Sequence, residues 1–350
     1  MFKELKDIAL PWTEEEYRAD PALSYSTLAT YERGGFYSIK SLAEKKESPS
    51  LLLGSIVDCI LTDGEDAFND RFAVMDYNIT DGGANVCKAL ATIYSEQYKE
   101  FKDIPEVLVS QTAQEVGFWK DPKWNSRRYK EVLNTGDVDI YYKVLTNKDK
   151  TIISAQMYSD ALAMVDALRT SETTKFYFAP DNPFDDSIRR YYQLKFKATL
   201  NNIDYRCMMD LAVCDYKNKV IYPCDLKTSS HYESEFYKSF IDWNYQIQAR
   251  LYWRILRDCM DKDEYFKDFE LKDYTFIVVK KDSLIPLTWK FEDTQKKGTL
   301  KYGKKLDIEL RDPETIGKEL TYYLNNECKV PIGITTTEPN DIVEYLNTKM

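Results

Sequence analysis

The sequence predicts a mixed α+β protein, and three observations carry that prediction. The first 170 residues or so run mostly at helical period. From Tyr191 to Lys227, three stretches of alternating apolar and polar residues follow one another across short turns. A helical run from Phe236 to Cys259 comes next, followed by two more strand-like stretches and a last helix. Helices, a three-strand meander, a long helix and further strands share one core most simply as α+β.

Each element has its own signal. Ser24-Tyr25-Ser26-Thr27-Leu28 offers N-cap residues for a helix that stops at Gly34-Gly35. After Pro49, Leu51 to Leu61 keeps the helical period, with Leu53, Ile56, Val57, Ile60 and Leu61 on one stripe and Asp58 among them. Residues 80–170 are charged and mostly helical in pattern, with turns at Asp81-Gly82-Gly83 and Asn134-Thr135-Gly136 and an amphipathic helix over Ala155–Leu168. Pro180-Asp181-Asn182-Pro183 breaks the pattern. Strands are expected over Tyr191–Thr199, Tyr205–Cys214 and Val220–Lys227, with turns at Asn201-Asn202 and Lys217-Asn218-Lys219. Tyr274–Val279 and Ile285–Phe291 read as strands and Pro313–Leu324 as helix. The expected organisation is a helical N-terminal part (1–79), a mostly helical insertion (80–179) and a core with C-terminal helices (180–350).

Composition excludes several classes. The 350 residues are 43% hydrophobic with 12 Gly and 12 Pro, which rules out a disordered, collagen-like or coiled-coil chain. No apolar run reaches the roughly 18 residues of a membrane span, and Met1-Phe2-Lys3-Glu4 lacks a signal-peptide layout. Seven cysteines without a C-x-x-C pair read as reduced thiols of a cytoplasmic protein, and a single His231 argues against a zinc site. The net charge of −10 argues against a simple coat on nucleic acid. The charge is uneven, however. Lys280–Lys305 holds eight lysines against three acids, Lys120–Lys130 five cations against Asp121, and Arg189, Arg190, Lys195 and Lys197 lie close together. Each could be a solvated face, or together they could confine a polyanion to one track on an acidic body.

The chemistry-bearing constellation lies in the meander. Asp210 is expected near the end of the second strand and Asp225 near the end of the third, so folding one strand against the other brings two carboxylates together. Like charges in that setting call for a cation between them, and hard oxygen ligands without His or thiolate point to Mg²⁺ or Mn²⁺. Lys227, two residues after Asp225, leaves the strand on the same face, where its ammonium can orient water and stabilise charge on a phosphate. Acid-x-Lys alone is common here, as at Glu4, Asp121, Asp215 and Glu270. Asp225 differs because it follows an apolar strand, faces a second Asp and precedes a long helix. On that helix Tyr245, Gln248 and Tyr252 share one face, which can lean over the Asp225 strand end.

Asp210…Asp225-Leu226-Lys227-Thr228, followed by Tyr245-x-x-Gln248-x-x-x-Tyr252, resembles the PD-(D/E)XK nuclease superfamily. It looks most like the RecB-like exonuclease branch and, within it, the phage-type exodeoxyribonuclease VIII group. The order Ser24–Leu28, Gly54–Asp58 and Phe68…Phe72-Ala73-Val74 is similar to that group's N-terminal layout. The resemblance covers about residues 20–75 and 180–290 and implies an αβββαβ restriction-endonuclease-like core. It implies Asp210, Asp225 and the Leu226 carbonyl as metal ligands, Lys227 as the catalytic lysine, and Gln248 and Tyr252 as the pair near DNA. The histidine ligand usual in the family falls on Asp58, an acceptable Mg²⁺ ligand or a buried hydrogen-bonding residue. Four cysteines in the spacing of the iron–sulfur nucleases are lacking, so no cluster is expected. The implied activity is Mg²⁺-dependent exonucleolytic hydrolysis of linear double-stranded DNA, with Tyr245, Gln248, Tyr252, Arg189, Arg190, Lys280 and Lys281 along the DNA. A single-strand annealing protein and further copies of the chain are implied partners, and the setting is a bacterial or phage-infected cytoplasm. An endonuclease or single-strand nuclease of the same fold, or an inactive DNA-binding scaffold, are the alternatives.

Overall fold

A computed structural model describes residues 2–42, 48–147, 150–181, 184–185, 187–303 and 308–326. Met1, Asn182, Pro183 and Lys305, named above, lie outside them. The architecture is mixed α+β, as the strand and helix periods predict. Two compact units divide it: Met1–Leu51 with Asp166–Met350, and Leu52–Val165.

The first unit is built on a mixed sheet. Its main strands are β1 (Ile188–Leu200), β2 (Ile203–Asp215), β3 (Val220–Thr228), β4 (Thr275–Val279) and β5 (Leu287–Lys290). They lie side by side in that order, and the two-residue strand Glu270–Leu271 pairs with the start of β3. Neighbours among the five main strands are antiparallel except β3 and β4, which run parallel and therefore need a crossover. Asn201 and Asn202 join β1 to β2 with φ of 48° and 64°, the left-handed pair that a two-residue hairpin turn requires.

The crossover is helical, and it departs from the single long helix that the period predicts. It is α2 (Phe236–Asp242) followed by α3 (Tyr245–Asp261). Asn244, at φ 55°, breaks the run; asparagine is among the few residues that accept this conformation readily. α3 packs on β1 and β2, burying Ile247, Leu251 and Ile255 completely. Each such side chain contributes about 1.5–3 kcal/mol. The flank of α3 is pinned by charge. Arg250 and Arg254 both pair with Asp312, at 2.7 and 2.8 Å. Asp312 also caps α4 (Pro313–Asn325), accepting the Glu314 N–H at 2.9 Å. At the other end of the chain α1 (Tyr25–Gly34) is capped by Ser24, as its sequence predicts.

The second unit is mostly helical around its own core of Val86, Leu90, Val109, Ala113, Val132 and Tyr142. It includes most of the helix Pro49–Thr62 and a parallel pair, Phe72–Val74 with Thr151–Ile153. These strands are too short to leave a periodic signal. Among the described residues no helix is long and apolar enough to cross a membrane.

Candidate active site

The β2–β3 ladder stops at the pair Leu211 and Cys224. One step further, the register sets Asp210 opposite Asp225. There the Asp210 carboxylate accepts the Leu226 N–H at 3.3 Å. A side-chain acceptor has displaced the backbone one, the usual way a short acidic residue interrupts a ladder. Asp210 therefore lies in the middle of β2, yet at the end of the stretch β2 shares with β3. Asp225 is 1% exposed and Asp210 partly exposed.

Lys227 supplies the compensating charge. Its ammonium forms an ion pair with Asp225 and lies 4.7 Å from the centre of the Tyr245 ring. Burial alone would push the lysine pKa down. The Asp225 carboxylate, then Tyr245, Asp210 and Tyr25, reverse this and hold it above the ordinary lysine value. The group is thus a cation throughout the physiological range.

The third contribution comes from α3, one turn in. Gln248 Nε2 donates to Asp225 Oδ1. Asp225 Oδ2 is the oxygen that faces the Lys227 ammonium, whereas among the described residues no donor hydrogen-bonds the buried Gln248 Oε1. A buried acceptor left this way costs about 1–3 kcal/mol. Two carboxylates and an amide oxygen are a hard, oxygen-only set. They suit Mg²⁺ or Mn²⁺, which bind through one or two carboxylates and keep waters for the rest.

Aromatic rings floor the cluster. Tyr245 stacks on Phe236 at 5.7 Å and lies 5.5 Å from Phe276, the register partner of Asp225 on β4. Burial pushes the Tyr245 phenol up, with the Lys227 ammonium pulling it back. Tyr25 of α1 reaches the same place: its ring is 6.1 Å from Tyr245 and its hydroxyl donates to the Trp243 carbonyl at 2.8 Å. Spacing gives no hint of this contact, because Tyr25 and Trp243 are 218 residues apart in the chain.

No family model matches the chain. No curated protein matches it either. A solved structure from Eubacterium rectale named "Putative exonuclease" is similar over 91% of this chain and 85% of that one, at 14% identity and a TM-score of 0.41. So distant a likeness carries no function across, and the chemistry of the site has to speak for itself.

The remaining expected site residues are spread out. Tyr252 is buried behind the acid pair, its ring 6.2 Å from that of Tyr274. Arg190 is tied into the structure, with its guanidinium 2.8 Å from Asp181 and donating to the Phe176 carbonyl at 2.6 Å. Arg189 lies 4.0 Å from the same aspartate. Lys280 pairs with Asp282 at 2.8 Å and covers the Tyr232 ring at 4.4 Å, while Lys281 is exposed. Asp58 belongs to the second unit, half-buried on the helix Pro49–Thr62. Among the described residues no three His, Cys, Asp or Glu side chains gather as a metal site. A metal at the acid pair would therefore draw on amide or backbone oxygen and on water besides Asp210 and Asp225.

Proposed function

We propose that this chain is a Mg²⁺- or Mn²⁺-dependent deoxyribonuclease of the PD-(D/E)XK kind, with an αβββαβ core, that hydrolyses linear double-stranded DNA from its ends. The observation that carries the reading is the meeting of Asp210, Asp225, Lys227 and Gln248 at one point. Asp210 and Asp225 would hold the metal, with Gln248 Oε1 able to face it. The resemblance adds the Leu226 carbonyl as a further ligand. A divalent ion there would lower the pKa of a bound water and polarise the scissile phosphate.

The chain's own groups account for the rest. Lys227, held as a cation by the carboxylates, can donate to a phosphate oxygen and steady the attacking water. Gln248 fixes the Asp225 carboxylate through its amide N–H, so the acid does not have to reorganise during reaction. Action from ends, a role in phage-type recombination and an annealing-protein partner rest on family analogy.

The test is direct. Linear duplex labelled at its ends and closed circular duplex are incubated with the purified chain, with Mg²⁺ or with EDTA, and with Asp225→Ala in parallel. Release of nucleotides from the linear form alone, requiring Mg²⁺ and lost in the variant, is the expected result. Equal activity of wild type and variant, or inertness of both, overturns the assignment. Cleavage of the circle turns it into an endonuclease.

A further inference from the structure

The basic stretch Lys120–Lys130 has a local structure that charge alone does not explain. It spans the end of the loop between the helices Glu106–Glu115 and Arg128–Leu133 and the first turn of the second helix, within the second unit. Arg128 opens that helix and turns its side chain under the loop, 2% exposed. Its guanidinium donates to the Trp119 carbonyl at 2.9 Å, the Asp121 carbonyl at 3.3 Å and Gln114 Oε1 at 3.2 Å. No carboxylate is among these partners, so a buried cation is solvated by the loop it shapes. Burying charge this way is costly, and its effect is to hold one loop conformation.

What the loop presents is a pair of indoles ringed by cations. Trp119 stands at φ 46°, a conformation that bulky residues rarely adopt, and remains 37% exposed. Its ring meets Trp124 edge to face at 4.8 Å. The Lys123 ammonium lies 5.2 Å from the Trp124 ring. Lys120, Arg127 and Lys130 are exposed and make no ion pair among the described residues. Strain that brings an indole to the surface, beside uncommitted cations, belongs to a binding feature more than to packing.

We propose that this loop binds single-stranded nucleic acid, with unpaired bases stacking on Trp119 and Trp124 and phosphates lying against Lys120, Arg127 and Lys130. Duplex hides its base faces in its own stack, so indoles at a surface discriminate in favour of unpaired bases, whereas the cations alone do not. The site needs neither metal nor hydrolysis. Its failure is therefore separable from failure of the nuclease reading, although a nuclease working at DNA ends would gain a hold on the strand it frees.

Binding of a fluorescent oligothymidylate of about 16 nucleotides by the full chain in EDTA tests it. Trp119→Gly removes the indole and relieves the positive φ, so its thermal midpoint is expected to stay at or above that of wild type. Its affinity for the single strand is expected to fall roughly 5- to 100-fold, with affinity for duplex of the same sequence unchanged. The exposed triple variant Lys120→Gln, Arg127→Gln, Lys130→Gln is expected to flatten the salt dependence by about 2 in log–log slope. The proposal is overturned if a folded Trp119→Gly binds the oligonucleotide as tightly as wild type, if it loses duplex and single strand equally, or if wild type binds no single strand. Should Trp119→Gly unfold, an unchanged salt slope in the triple variant overturns it just as well.

Discussion

Gln248 on α3 donates its amide N–H to the Asp225 carboxylate on β3, a side-chain bond between residues 23 apart in the sequence. It ties the crossover helix to the sheet at the point where the β2–β3 ladder ends. Asp225 thus has three neighbours of different kinds: an amide on one oxygen, an ammonium on the other, and a second carboxylate across the sheet. Such a carboxylate is costly to disturb, and each neighbour gives a separate measurement.

Lys227→Met is expected to lower the hydrolysis rate by about 10²–10³-fold or more, because the charge donor beside the acid pair is lost. It also leaves Asp225 buried without its cation, a destabilisation of about 3–5 kcal/mol. The double variant Asp225→Asn, Lys227→Met removes both charges and is expected to regain most of that stability while remaining inactive. Urea denaturation alongside rate measurement checks this. If the double variant is no more stable than Lys227→Met alone, the ion pair is not the source of the loss.

Metal binding has its own readout, independent of catalysis. A ligand that binds the folded chain at 100 times its Kd raises stability by about 2.7 kcal/mol. Mn²⁺ is expected to raise the thermal midpoint of wild type, and to leave that of Asp210→Asn or Asp225→Asn unmoved. Equal shifts in all three proteins would place the ion elsewhere.

The Arg250–Asp312–Arg254 cluster makes acid stability the informative variable. Burial would raise the Asp312 pKa, but Arg254 first and then Arg250 outweigh it, and the carboxyl lies below its ordinary value. A depressed folded-state pKa contributes stability that is present above the unfolded value of about 3.9 and disappears as pH falls through the folded one. Asp312→Asn is therefore expected to cost about 3–5 kcal/mol at pH 7, since two arginines lose their anion. The difference from wild type is expected to shrink below about pH 4. Parallel stability curves down to pH 2 would show that the charge of Asp312 is not what holds α3.

Much of this arrangement is legible in the amino-acid order, and the reasons are local. Alternation along 203–215 and 220–228 brings Asp210 to Asp225, a two-residue step puts Lys227 beside it, and the helical spacing of Tyr245 and Gln248 does the rest. The break at Asn244 is not legible, because the apolar period continues across it and the left-handed residue is an asparagine with no partner glycine. Contacts made through the folded chain are equally silent: Tyr25 with Tyr245, and Arg250 with Asp312. Charge windows read from sequence do not say which cations are already neutralised. Arg190 is spent on Asp181 and Lys280 on Asp282, whereas Arg127 and Lys130 make no ion pair among the described residues.

Gly317 on α4 shows how tightly the helix closes on the sheet. A Cβ added there would stand 2.0 Å from the Tyr205 hydroxyl oxygen and 2.9 Å from two ring carbons. Tyr205 is fully buried on β2, and no partner for its hydroxyl is found among the described residues, so the ring has no room to yield. Gly317→Ala is accordingly expected to destabilise by about 1–3 kcal/mol or more, despite the better helix propensity of alanine. Tyr205→Phe is expected to be nearly neutral, because it deletes a buried hydroxyl without a hydrogen-bond partner among the described residues. Combining the two removes the closest of the three clashes, so the pair is expected to be more stable than the sum of the single changes, by about 0.5–3 kcal/mol. Strict additivity in urea denaturation would mean that α4 slides to relieve the clash, and that the contact between Gly317 and Tyr205 does not set the helix's position.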